Sequence, residues 1–310
     1  MKYTYALISA AIIGSGMFFS CKNETSPQKE EVGEETTIAG NLNLQVDATV
    51  QPIVEDVLAV FKSVYPKALI LQVNRSESDI VNSMMRDSSA VVVLARELEA
   101  NEQAHFDKLN IKPRITHFAT DALALITGKT ATDTVVNLED VYKVMRGEEA
   151  ATVKKLVFDN PNSSALQMLM KNAGVTKIPA NAVYSLNNTQ EVIKFVIQNP
   201  GTIGVVGVNW LVQPPQEIEQ DIANLTVLGV DNVKIKKGPK KYFKPSQSNI
   251  ATGSYPLTRK LYLLNYQGRQ GLGMGFANYL NAREGQRIIL KSGLLPVEIP
   301  AREIEVRNEL

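Results

Sequence analysis

The sequence predicts an α/β fold built on a parallel sheet, and three observations carry that reading. Short apolar runs alternate with amphipathic segments from Gly40 onward. The run at 90–95, Ala-Val-Val-Val-Leu-Ala, is apolar throughout, as a strand covered on both faces must be. The opening order strand-helix-strand-helix-strand needs right-handed crossovers between parallel neighbours.

The elements follow in order. Residues 42–46 alternate Leu42, Leu44 and Val46 as a strand does. Residues 49–66 carry Ile53, Val54, Val57, Leu58, Phe61 and Val64 at helical spacing. Thr49 stands where an N-cap belongs, Pro52 is tolerated in a first turn, and Pro66 ends the helix. A strand over 68–73 leads to a helix over 77–88, with Ile80, Val81, Met84 and Met85 on one face. A second stretch repeats the theme, with strands over 115–128 and 153–159 and helices over 138–147 and 164–174, the last ending on Gly174. A helix over 189–201 is stopped by Pro200 and Gly201, and a Gly-rich strand over 202–209 follows. The chain closes with a strand over 255–266, one long helix over 273–293 and a Pro-rich end. The basic run 234–244 reads as a solvated surface loop or hairpin.

The N-terminus lies outside this pattern. Lys2 precedes the short apolar stretch 6–19, which is too short to span a bilayer comfortably, and a small residue then precedes the lone Cys21. The layout resembles the lipobox of bacterial lipoproteins. It implies a signal peptide over 1–20, lipidation at Cys21 and attachment at the periplasmic side of an envelope membrane. Residues 21–39 are polar and acidic and are expected to form a flexible tether with a reach of roughly 20–25 Å.

Composition excludes several classes. A net charge of +1 over 310 residues gives no broad basic face for nucleic acid. Two histidines and one cysteine leave no internal disulfide and no Cys/His metal site of the usual spacing, so no cofactor is expected. No nucleophile–base signature is present, which speaks against an enzyme. His105 is expected on a solvated helix, His117 in a structural role, and Trp210 in core or cleft-wall packing.

The chemistry gathers at three strand-to-helix turns, Ala48-Thr49-Val50, Arg75-Ser76-Glu77 and Asn162-Ser163-Ser164-Ala165. In a parallel sheet such turns meet at the carboxyl ends of the strands, where ligands sit. Each helix start offers unpaired N–H groups and a partial positive charge, so several together can hold an anion. Each turn by itself is more often only a helix cap.

Five segments taken together resemble the phosphate-binding proteins of phosphate ABC transporters. They are 46–70, the strand-small-Arg-apolar-Glu stretch within 91–102, the helix and glycine near 138–147, the segment 255–263, and 276–297. The resemblance implies a type II periplasmic-binding-protein fold, with two α/β lobes joined by a two-strand hinge near 116–121 and 253–259. One lobe is then 40–118 with 256–310, and the other is 119–255. It implies that the backbone of Ala48, Thr49 and Val50, the loop Arg75-Ser76-Glu77 and the turn Asn162-Ser163-Ser164-Ala165 bind the ligand. The family has an arginine shortly before that last turn, where this chain has Asp159, Asn160 and Pro161. Arg75 or Arg96 is the candidate to replace its charge, and Glu77 or Asp159 the candidate carboxylate in the cleft. The expected protein is a monomer that captures phosphate or a similar oxyanion and passes it to an ABC permease. The alternative keeps the fold, loses oxyanion binding and serves as a partner in an envelope complex.

Overall fold

The computed structural model describes residues 35–301 except 88 and 236–238. Cys21 and the apolar leader lie outside the described residues, and among those described no helix is long and apolar enough to cross a membrane.

The first half follows the predicted alternation. Strand β1 (Gly40–Asp47) leads through a short 3-10 turn into α1 (Gln51–Val64), then β2 (Ala68–Arg75), α2 (Glu77–Met84), β3 (Val91–Leu94), α3 (Ala100–Lys108) and the long β4 (Arg114–Gly128). The middle of the chain contributes β5 (Val135–Val136), α4 (Leu138–Arg146), β6 (Lys155–Phe158), α5 (Ser164–Ala173), β7 (Val183–Ser185), α6 (Thr189–Gln198) and β8 (Thr202–Gly207). Smaller pieces follow, α7 (Asn209–Val212), α8 (Glu219–Ile222), β9 (Leu225–Val227), β10 (Gly229–Asp231), β11 (Tyr242–Phe243) and α9 (Gln247–Ala251). The chain then returns as β12 (Thr258–Asn265), α10 (Leu272–Asn281), α11 (Arg283–Lys291) and β13 (Leu295–Pro296).

One curled sheet runs through both halves in the order β2-β1-β3-β12-β4-β8-β6-β7. The pairs β1–β2, β1–β3, β6–β7 and β6–β8 are parallel, while β12 lies antiparallel between β3 and β4. The sheet serves two α/β lobes. Phe118, Ala119 and Leu261 belong to the core around α1, β1 and α10, whereas Ala122, Leu123 and Leu257 belong to the core around α4, α5 and α6. The chain therefore passes from one lobe to the other along β4 and again at the start of β12, which is the two-strand hinge of this fold class. Leu123 N–H donates to Leu257 O at 2.8 Å at the crossing, so the two hinge segments are tied to each other.

Several local expectations are corrected. Thr49 does not cap α1. Asp47 caps the 3-10 turn by accepting from Thr49 N–H, and α1 starts after Val50 with no side-chain cap and Pro52 in its first turn. The helix expected over 273–293 is two helices, because Ala282 is extended (φ −73°, ψ 163°) and breaks the chain between α10 and α11. Gly285 then allows α11 to close on the end of α10, since a Cβ there would lie 2.2 Å from Tyr279 O. The strand expected over 202–209 ends at Gly207 and turns into α7. Residues 35–39, read as the end of the tether, instead lie against α10, where Leu272 N–H donates to Glu35 Oε1 at 3.1 Å and Arg269 pairs with Glu35. Gly275 permits this, because a Cβ at that position would collide with Thr37 O.

Candidate inter-lobe site

The site begins where β1 ends. Asp47, fully buried, accepts from the backbone N–H and the hydroxyl of Thr49, both at 3.0 Å. Both lobes meet at that hydroxyl, because Thr49 Oγ1 lies 2.9 Å from Ser164 Oγ on α5. Ser163 is the N-cap of α5, with its hydroxyl accepting from Leu166 N–H at 3.3 Å. The first-turn N–H groups of Ser164 and Ala165 have no intrahelical acceptor. Neighbouring serines thus hold different posts, one closing the helix and one facing the other lobe.

The positive charge comes from the hinge. Arg259 on hinge strand β12 donates from Nη1 to Ser164 Oγ at 2.8 Å, and from Nε and Nη2 to Asp121 Oδ2 at 2.9 and 2.7 Å. Asp121 is its direct cross-strand neighbour on β4. The donors now order themselves. A carboxylate only accepts, so the Thr49 hydroxyl gives its proton to Asp47. Ser164 accepts from Arg259 and is left to donate to Thr49. A directed chain of hydrogen bonds therefore runs from the guanidinium of Arg259 through Ser164 and Thr49 to the carboxylate of Asp47, crossing from hinge to one lobe to the other.

Other contacts close the same gap. Trp210 Nε1 donates to Thr49 O at 3.0 Å, Ser78 N–H reaches Asn162 O at 3.5 Å, and Lys171 pairs with Glu99 at 3.1 Å. Gly207 makes room for the first of these. A Cβ there would sit 2.5 Å from Asn209 Oδ1 and 2.8 Å from Thr49 O.

Buried acids outnumber buried bases. Asp47, Glu77, Asp121 and Asp159 are all buried, against Arg259 and the half-buried Arg96. Burial pushes the Asp159 carboxyl up to about 6, with Ser163 opposing and Asp47 adding to the rise. Burial also raises Glu77, against the pull of Arg96. One oxygen on each of Asp47, Asp121 and Asp159, and both polar atoms of Asn209, are buried without a hydrogen-bond partner. A site of this kind has acceptors to spare. Among the described residues no group of three or more His, Cys, Asp or Glu side chains is arranged to hold a metal ion.

The predicted residues are not all gathered here. Thr49 and Ser164 meet directly, Ser163 sits behind them, and Ala48, Val50 and Ala165 lie on the same two helix starts. Ser76 caps α2 by accepting from Asp79 N–H at 3.2 Å. Asn162 is exposed and contributes only its carbonyl to the contact with Ser78. Arg75 is exposed at the end of β2 and does not supply the missing charge. Arg96 does not supply it either, because Glu77 takes its Nε at 2.8 Å and Glu102 takes both terminal nitrogens at 2.6 and 3.0 Å. Arg259, Asp47 and Asp121 were missed. The signal for Arg259 was present, since it shares strand parity with Leu257, Leu261 and Leu263 and so had to point inward.

In front of Ser164 and Arg259 lies a cavity of about 680 Å³, walled by both lobes. Comparison with known proteins matches residues 31–284 to the PBP superfamily domain. The phosphate-binding protein PstS of Borreliella burgdorferi is 19% identical over 309 residues, covering 94% of this chain and 98% of that protein. PstS of Bacillus subtilis is 23% identical over 303 residues, covering 94% and 91%. Among solved structures, a putative phosphate ABC transporter substrate-binding protein with bound phosphate from Clostridium perfringens superposes with a TM-score of 0.66 at 17% identity, covering 84% of this chain and all of that one.

Proposed function

The chain belongs to the PBP superfamily, and on that premise we propose that it is a solute-binding protein that takes phosphate or a similar oxyanion between its lobes for delivery to an ABC permease. The observation that carries this reading is the meeting of three donor sources at one point. They are the guanidinium of Arg259 from the hinge, the Ser164 hydroxyl with the start of α5, and the Thr49 hydroxyl from the other lobe. The phosphate-binding names of the relatives support it. An oxyanion entering between Thr49 and Ser164 accepts from both hydroxyls and replaces Asp47 as the end of the hydrogen-bond chain. Charge-assisted bonds at roughly 1.5–3 kcal/mol each make micromolar affinity reachable with four to six of them. The unpartnered carboxylate oxygens accept from a protonated phosphate and repel fully ionised sulfate.

Calorimetry with phosphate, sulfate and molybdate on the purified full chain tests the reading. Phosphate should bind and sulfate should not, and silence for all three from folded protein overturns it. The alternative reading is favoured by one specific observation, that Asp47 already terminates the donor chain and ties the lobes without a ligand. It predicts a membrane partner captured equally well with and without phosphate. The domain limits 40–118 with 256–310 and 119–255, the monomeric state, and lipidation at Cys21 on the periplasmic side of a membrane belong to the same proposal. Palmitate labelling that persists in Cys21→Ser removes the anchor from it.

A further inference from the structure

The cavity is larger than the oxyanion reading requires. A five-atom oxyanion displaces on the order of 100 Å³, at about 30 Å³ per water-sized volume. The cavity holds about 680 Å³, within the range of sites for small organic molecules. Its long wall is one stripe of α5, with Ser164, Gln167, Met168 and Lys171 at positions i, i+3, i+4 and i+7. That stripe extends about 10 Å from the floor at Ser164. Met168 on the stripe, Met170 beside it and Val175 just past the end of α5 make the cavity wall apolar part of the way, and all three are half-buried. Beyond the floor the charges are already matched. Arg96 is held by Glu77 and Glu102, and Lys171 pairs with Glu99.

We propose that the ligand is a small phosphate monoester, with its phosphate against Arg259 and Ser164 and its uncharged carbon body along Met168, Met170 and Val175. This rests on the oxyanion reading and narrows it. Inorganic phosphate leaves those apolar side chains wet.

Calorimetry on the full chain with inorganic phosphate, phenyl phosphate and phenol tests this. Phenyl phosphate should bind about tenfold or more tightly than inorganic phosphate, as burial of a few tens of Å² of apolar surface per partner allows. Phenol should not bind measurably. Thr176→Trp, at an exposed position on the cavity rim, should bring the ratio of the two phosphate affinities to about one. Phenyl phosphate binding no tighter than inorganic phosphate overturns the inference while the oxyanion reading stands, as does a ratio unchanged in Thr176→Trp. Phenol binding as well as its phosphate ester removes the headgroup from the argument and overturns it too. If neither phosphate compound binds, the oxyanion reading fails and this inference fails with it.

Discussion

At the residue scale, Ser163 and Ser164 are adjacent in sequence and separate in role. Ser163→Ala removes a helix cap and should cost about 0.5–2 kcal/mol in urea denaturation, with phosphate affinity unchanged within about twofold. Ser164→Ala breaks the contact between hinge and lobes and leaves an Arg259 N–H unpaired. It should cost a similar 1–3 kcal/mol and also weaken phosphate binding by about tenfold or more. Equal effects on affinity would place both serines in one role. Asp159 gives a pH signature. Its folded pKa of about 6 stands above the ordinary 3.8, so the folded chain keeps a proton that the unfolded chain has lost. The stability this group contributes is complete below about pH 4 and is lost as pH rises through about 6. Asp159→Asn should therefore raise stability at pH 7.5 by on the order of 2–3 kcal/mol and flatten the decline between about pH 4 and 6. A difference that grows toward low pH would have the wrong sign.

At the element scale, Gly275 decides how neighbouring segments approach. Gly275→Ala should detach residues 35–39 from α10, because its methyl would collide with Thr37 O. Hydrogen exchange should rise at Leu272, whose N–H is held by Glu35, and protection retained there would show that the contact re-forms elsewhere. Hinge strand β12 is the other decisive element. Its alternation carries Arg259, Leu261 and Leu263 inward, in step with Leu257 just before it, and its register sets Arg259 opposite Asp121. Arg259→Met leaves Asp121 buried without its partner and should cost about 3–5 kcal/mol, more than any surface charge change.

At the scale of the whole molecule, the contacts between lobes differ in weight. The buried chain from Arg259 to Asp47 and the Trp210–Thr49 bond are shielded from water, whereas Lys171 and Glu99 are 76% and 51% exposed. Glu99→Gln should therefore change closure little, by less than about 1 kcal/mol, and its effect should vanish in high salt. Small-angle scattering of the wild type and this variant should coincide, and a lasting difference in radius would give the exposed pair a larger part than its solvation allows.

The local pattern determined much by itself. Apolar periodicity marked the strands and helices that form the sheet, and small polar residues marked the helix starts that reach the cleft, because burial and capping are local demands. The apolar leader and Cys21 are likewise sequence features, and they lie outside the described residues. Only the tertiary structure decided where the charge comes from. Arg75 and Arg96 are nearer the helix starts along the chain, but one faces solvent and the other is held by two glutamates. Arg259 reaches Ser164 from 95 residues away because β12 returns between β3 and β4. Which arginine is available depends on strand order and on which acids claim the others, and both are long-range properties that no local spacing encodes.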